Sequence, residues 1–154
     1  MAPDRSSGNR DPSPVAPENC TCFNLRKAAR AVTQAYDAAL QPVGLKATQY
    51  SVLAVAEAIG PLTVGKLADR LVTDRTTLTR NLNPLERDGL VRIEEGEDRR
   101  ARLVTVTPAG RRLLARAQPL WRSAQERMVD RLGRRQWSEL LVGLDASVAA
   151  AHGS

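Results

Sequence analysis

Apolar residues recur at helical spacing from Leu25 onward. Leu25, Ala28, Ala29, Val32, Ala35, Tyr36, Ala39 and Leu40 share one face of a 3.6-residue period. The pattern predicts a helix from Asn19-Cys20 to the break near Gln41-Pro42-Val43-Gly44. A second helix is predicted from about Ala47 to Ala58, with Tyr50, Leu53 and Ala54 inward, ended by Gly60-Pro61. Thr63 can cap a short third helix holding Val64, Leu67, Ala68 and Leu71. After a turn at Val72-Thr73, Asp74 is suited to cap a fourth helix reaching about Asp88. Leu78, Leu82 and Leu85 form its buried stripe, and Gly89 suits the position after its end. Pro84 removes an amide donor and crowds the carbonyl of Arg80, so a kink or a separated last turn is expected there.

The period then changes. Leu90-Val91-Arg92-Ile93 and Arg102-Leu103-Val104-Thr105-Val106 alternate, and the charged run Glu94 to Arg100 lies between them. This predicts a two-stranded hairpin with a polar tip. Thr107-Pro108 then opens a long helix, with Leu113, Leu114, Ala117, Leu120, Trp121, Ala124, Met128 and Leu132 on its apolar face. Gly133 interrupts it. A last helix, about Arg135 to Ala150, carries Trp137, Leu140, Leu141, Leu144 and Val148. The expected fold is mainly α with a small β-hairpin wing: a winged helix-turn-helix with N- and C-terminal dimerisation helices. The expected divisions are a disordered tail (1–18), an N-terminal dimerisation helix (19–45), the winged helix-turn-helix (46–107) and C-terminal dimerisation helices (108–151).

Composition narrows the function. The 154 residues suit one domain with dimerising arms, and the 42% hydrophobic content with 3% aromatics requires an aliphatic core. Lysine and arginine number 23 against 17 acids, a net charge of +6, which favours a polyanionic partner. Residues 61–116 hold twelve basic and eight acidic side chains, so the balance is mildly concentrated there. The single histidine, His152, leaves little for histidine-based catalysis or a histidine-rich metal site. No run of apolar residues is long enough to span a membrane, and no secretory signal is seen. Two cysteines spaced C-x-C, Cys20 and Cys22, are too few for a disulfide scaffold and suit a reducing cytoplasm.

A pair of short helices followed by a hairpin is an arrangement suited to double-stranded DNA, because an α-helix fits the major groove. Arg75, Thr76, Thr77, Thr79, Arg80 and Asn83 lie off the leucine stripe and are free to face a groove. Arginine can address guanine, asparagine adenine, and threonine a thymine methyl or a phosphate. Arg99 and Arg100 at the hairpin tip are placed to enter a neighbouring minor groove. The flanking helices carry more apolar surface than a winged domain can cover, which points to a homodimer presenting two recognition helices to a pseudo-palindromic operator. The alternative of another class is a protein-interaction module without specific DNA binding. Its recognition face would be apolar, whereas this one is Thr, Arg and Asn. An enzyme is not expected, and no cofactor is called for.

Several segments together resemble the MarR family of bacterial transcription regulators. They are Leu67-Ala68-Asp69-Arg70-Leu71, Thr77-Leu78-Thr79-Arg80, Leu85-Glu86-Arg87-Asp88-Gly89-Leu90-Val91, and Asp98-Arg99-Arg100 leading to Val106-Thr107-Pro108-Ala109-Gly110. The resemblance covers about residues 20–150. It implies a triangular homodimer, a recognition helix at Asp74–Asp88, and a wing motif in which Arg100 enters the minor groove while Asp98 braces another basic side chain. It also implies a repressor released from DNA by a small phenolic ligand or an oxidant.

The first helix resembles the branch of that family that senses organic hydroperoxides. There a reactive cysteine occupies the position of Cys22, and Tyr36 matches a tyrosine that hydrogen-bonds it. Two further tyrosines of that branch fall on Arg26 and Ala47. Helix N-termini favour a thiolate, which a peroxide takes to a sulfenic acid that a second thiol can resolve. A disulfide within C-x-C closes a small, strained ring. Pairing with a partner subunit, or capture of a soft metal or metalloid by Cys20 and Cys22, is an equal alternative. A third alternative is that both are ordinary small residues at a helix start.

Overall fold

The computed structural model describes residues 13–96 and 101–153. The chain divides into two compact units, residues 1–34 and 35–154. In the first, a 3-10 turn at Pro17–Asn19 leads into α1 (Thr21–Leu40). The Asn24 amide donates to the carbonyls of Glu18 (2.8 Å) and Cys20 (3.0 Å), fastening turn to helix. The end of the segment expected to lack structure therefore holds a turn, and residues 1–12 lie outside the described residues.

In the second unit Leu40 is fully buried, and a 3-10 turn at Gln41–Val43 stops at Gly44, whose φ of 71° suits glycine. The next helix, α2 (Ala47–Ile59), is capped from a distance: Asp37 Oδ1 accepts the Ala47 N–H at 2.7 Å. The Gln49 side chain accepts the Lys46 N–H at 2.9 Å. After Gly60 come β1 (Leu62–Thr63) and α3 (Val64–Arg70), where Thr63 Oγ1 accepts the Lys66 N–H at 3.2 Å as expected of a cap. The fourth helix, α4 (Arg75–Arg87), begins behind Asp74 and runs unbroken through Pro84. Pro84 leaves the Arg80 carbonyl without its helix donor. Leu78 and Leu82 before it and Leu85 after it are all buried, so the helix has no separated last turn.

The strands β2 (Val91–Glu95) and β3 (Arg102–Val106) pair antiparallel as the expected hairpin, with Val91 opposite Val106 and Ile93 opposite Val104. The sheet has three strands rather than two, in the order β1-β3-β2, because Leu62 pairs with Val104 and Thr63 with Leu103. Two residues cannot display an alternation, and their pairing is set by a strand some forty positions away. The core is aliphatic. Leu40, Leu53, Leu67, Leu78, Leu82, Leu85 and Val104 are the largest fully buried side chains, and Tyr50 stacks on Trp121 at its edge with centroids 5.7 Å apart.

Thr107 joins three elements. Its hydroxyl donates to the Gly89 carbonyl at 2.6 Å, its N–H to the Leu90 carbonyl at 3.0 Å, and its Oγ1 accepts the Gly110 N–H at 3.1 Å, capping α5 (Pro108–Leu132). A Cβ on Gly110 would stand 2.1 Å from the Leu90 carbonyl oxygen, so only glycine allows α5 to approach so closely. Gly133, with φ 80°, separates α5 from α6 (Arg134–His152).

Candidate nucleic-acid interface

The candidate recognition surface begins with the cap of α4. Asp74 Oδ1 accepts the Thr77 N–H at 2.8 Å and Oδ2 the Thr77 hydroxyl at 2.6 Å. The Thr77 hydroxyl, then its amide, hold the Asp74 carboxyl below the usual carboxylate range. Thr77 is thereby bound to its own helix, and Thr79 likewise donates to the Arg75 carbonyl at 2.7 Å. The hydroxyl protons of both are spent locally, leaving their methyl groups and lone pairs to face outward.

All six of the expected α4 residues are exposed, but they do not form one group. At 100° per residue, Thr76, Arg80 and Asn83 lie opposite the buried Leu78, Leu82 and Leu85. Arg87, which the sequence reading omitted, shares that ridge and pairs with Asp88 at 3.1 Å. Arg75 and Thr79 turn toward the sheet. With Asn83 they line a cleft of about 460 Å³ whose other walls are Thr63, Val64, Gly65, Leu82, Ile93, Ala101 and Arg102. Arg102 was not expected at the site, since alternation marked it only as the exposed residue of a strand.

The two strands close where Gly96 N–H donates to the Ala101 carbonyl at 2.6 Å. The wing-tip residues Asp98, Arg99 and Arg100 lie outside the described residues.

Cys20 and Cys22 are both exposed and unpaired, at the entry to α1. Tyr36 is half-buried, and its hydroxyl donates to Gln125 Oε1 on α5. Burial raises its pKa above the ordinary phenol value. The proton that the resemblance assigned to a cysteine is thus engaged by a glutamine, a partner that no sequence pattern marks. Among the described residues there is no cluster of three or more His, Cys, Asp or Glu suited to a metal, and no helix is long and apolar enough to cross a membrane.

A model of the MarR family matches residues 43–101. The HTH-type transcriptional regulator YwoH of Bacillus subtilis is 35% identical over 83 residues, 54% of this chain and 61% of its own length. The match thus spans less than two thirds of that relative. The organic hydroperoxide resistance transcriptional regulator of Bacillus subtilis is 34% identical over 101 residues, 65% of this chain and 69% of that protein. Among solved structures, the M. tuberculosis transcriptional regulator MosR has a TM-score of 0.79 at 40% identity, covering 90% of this chain and all of that one. The same regulator in complex with DNA has a TM-score of 0.71 at 43% identity, covering 83% and 98%.

Proposed function

This chain belongs to the MarR family of transcriptional regulators, and from that premise we propose that it is a homodimeric repressor whose grip on a pseudo-palindromic operator is released by oxidation of Cys22. The observation that carries the DNA-binding part is the outward ridge of Thr76, Arg80 and Asn83 on a capped helix beside a β-wing. That ridge is polar and cationic, which suits base edges better than an apolar protein partner. Arg75, Thr77 and Thr79 flank it, and Asp98, Arg99 and Arg100 enter this proposal through the family resemblance.

Dimerisation is supported by apolar side chains left in the open. Leu140, Leu141, Leu144 and Val148 on α6 are each more than a third exposed, as are Phe23, Leu25 and Val32 on α1. Such stripes are covered when a second copy packs on them. The proposed divisions are an N-terminal dimerisation arm at 19–45, a winged domain at 46–107 and a C-terminal dimerisation arm at 108–151.

Release through the cysteines is supported by the exposure of two free thiols at the start of a long helix. A relative named for organic hydroperoxide resistance adds to this. In the proposed chemistry the Cys22 thiolate attacks the distal oxygen of a hydroperoxide. The S–O bond forms as the O–O bond breaks, and the alkoxide leaves with a proton as alcohol. Cys20, or a thiol of the partner subunit, then attacks the sulfenic sulfur, and hydroxide leaves as water once protonated. Tyr36 enters this proposal through the family resemblance.

The test is fluorescence anisotropy of the reduced protein on duplex DNA from upstream of its own gene, with a scrambled duplex as control. Preferential binding, lost on adding an organic hydroperoxide and retained by Cys22→Ser, is the expected result. Specific binding indifferent to the oxidant would remove the thiol switch. Equal affinity for both duplexes would remove the operator from that region.

A further inference from the structure

Of the candidate recognition residues on α4, Arg75 is the cation on the cleft-facing edge, not on the outward ridge. An ideal Cβ built on Gly65 would lie 3.0 Å from Arg75 Nη2 and 3.6 Å from its Cζ. The guanidinium therefore rests on the first turn of α3, in space that a side chain at position 65 would take. The cleft it occupies runs between α4 and the wing, with Arg102 of β3 also on its wall. Among the described residues no acid lines this cleft, and neither Arg75 nor Arg102 has an ion pair.

The topology of a duplex says what passes there. A recognition helix in the major groove and a wing reaching the adjacent minor groove stand on either side of one sugar-phosphate strand. That strand has to run through the cleft separating them. We propose that Arg75 and Arg102 clasp a backbone phosphate in this cleft, with Gly65 as the positioning residue whose missing side chain seats the Arg75 guanidinium. The assignment rests on the DNA-binding reading above and separates two tasks within α4. Arg80 and Asn83 face base edges, whereas Arg75 fixes register without reading sequence.

Four variants test this against the native and scrambled duplexes over a range of salt. Arg75→Ala is expected to weaken both duplexes about tenfold alike, and to reduce the slope of log K against log salt by about 1. Arg75→Lys keeps a point charge that can hold a phosphate but not a bidentate guanine pair, so it is expected to restore binding to both. Gly65→Ala obliges the guanidinium to shift by a few tenths of an ångström and is expected to weaken both duplexes alike but less than Arg75→Ala does, while its thermal midpoint stays at or above that of the wild type, since alanine favours a helix. In an Arg75→Ala background, Gly65→Ala should have no further effect.

Loss of preference for the native duplex in Arg75→Ala, with scrambled affinity unchanged, would make Arg75 a base reader and overturn the proposal. An unchanged Gly65→Ala would remove the seat. Displacement of duplex by inorganic phosphate beyond that of chloride at matched ionic strength would make this a free-anion site instead. A wild-type protein that binds neither duplex would overturn the DNA-binding reading itself, which the other outcomes leave standing.

Discussion

Single residues decide how closely the elements of this protein approach. Gly110 is the sharpest case, because any β-carbon there would collide with backbone at 2.1 Å rather than with a side chain that could move. Gly110→Ala should destabilise the fold by about 2–3 kcal/mol or more, read as a lowered midpoint in urea with an unchanged m-value. Asp74 offers a test of sign. Its carboxyl is held below the ordinary range by the Thr77 hydroxyl and amide, so its cap contributes stability above the unfolded-state value near 3.9. That contribution is lost as pH falls through the lower folded-state value. The stability difference between wild type and Asp74→Asn should therefore be present at neutral pH and shrink in that acid window, measured by denaturant unfolding at a series of pH values.

At the scale of elements, the recognition helix was readable because its requirements are local. A cap at Asp74, leucines at 78, 82 and 85, and glycine at 89 each declare themselves within a few positions. What could not be read were facts settled by distant neighbours. The strand β1 exists only through β3, Arg102 joins the site only because the cleft beside α4 reaches as far as β3, and the Tyr36 proton goes to a residue 89 positions away. The division of α4 into an outward ridge and a cleft-facing edge has the same origin, since the sheet and not the helix defines the cleft. Arg80 occupies the middle of the ridge, clear of the cap and of the cleft. Arg80→Ala should cost about 1–3 kcal/mol of specific binding and relax the base preference at one operator position. Competition of single-base operator variants by anisotropy would show it, and a uniform loss across all variants would place Arg80 on the backbone instead.

For the whole molecule, assembly is the decisive question. The exposed stripe of α6, Leu141 and Leu144 at its centre, has no core to join within the second unit. Replacing both by glutamate should leave the winged domain folded, with its far-ultraviolet dichroism retained, and convert dimers to monomers in analytical ultracentrifugation. Operator affinity should fall steeply, since two half-sites would no longer be bound as one. A dimeric double variant would place the interface elsewhere.

The Thr107 junction gives the molecule a mechanical property. One residue holds the exit of α4, the entry to β2 and the start of α5 through hydrogen bonds of 2.6 to 3.1 Å. Gly110 adds backbone-to-backbone closeness that leaves no slack. The 25 residues of α5 make an arm about 37 Å long, pivoted beside the end of the recognition helix. A tilt at the start of that arm would reach the end of α4 through these bonds, whereas one applied beyond Pro119 can be taken up where the proline removes a helix hydrogen bond. On the proposed reading of a regulator released from DNA, this junction is where a movement of the first turn of α5 would alter the setting of the recognition helix.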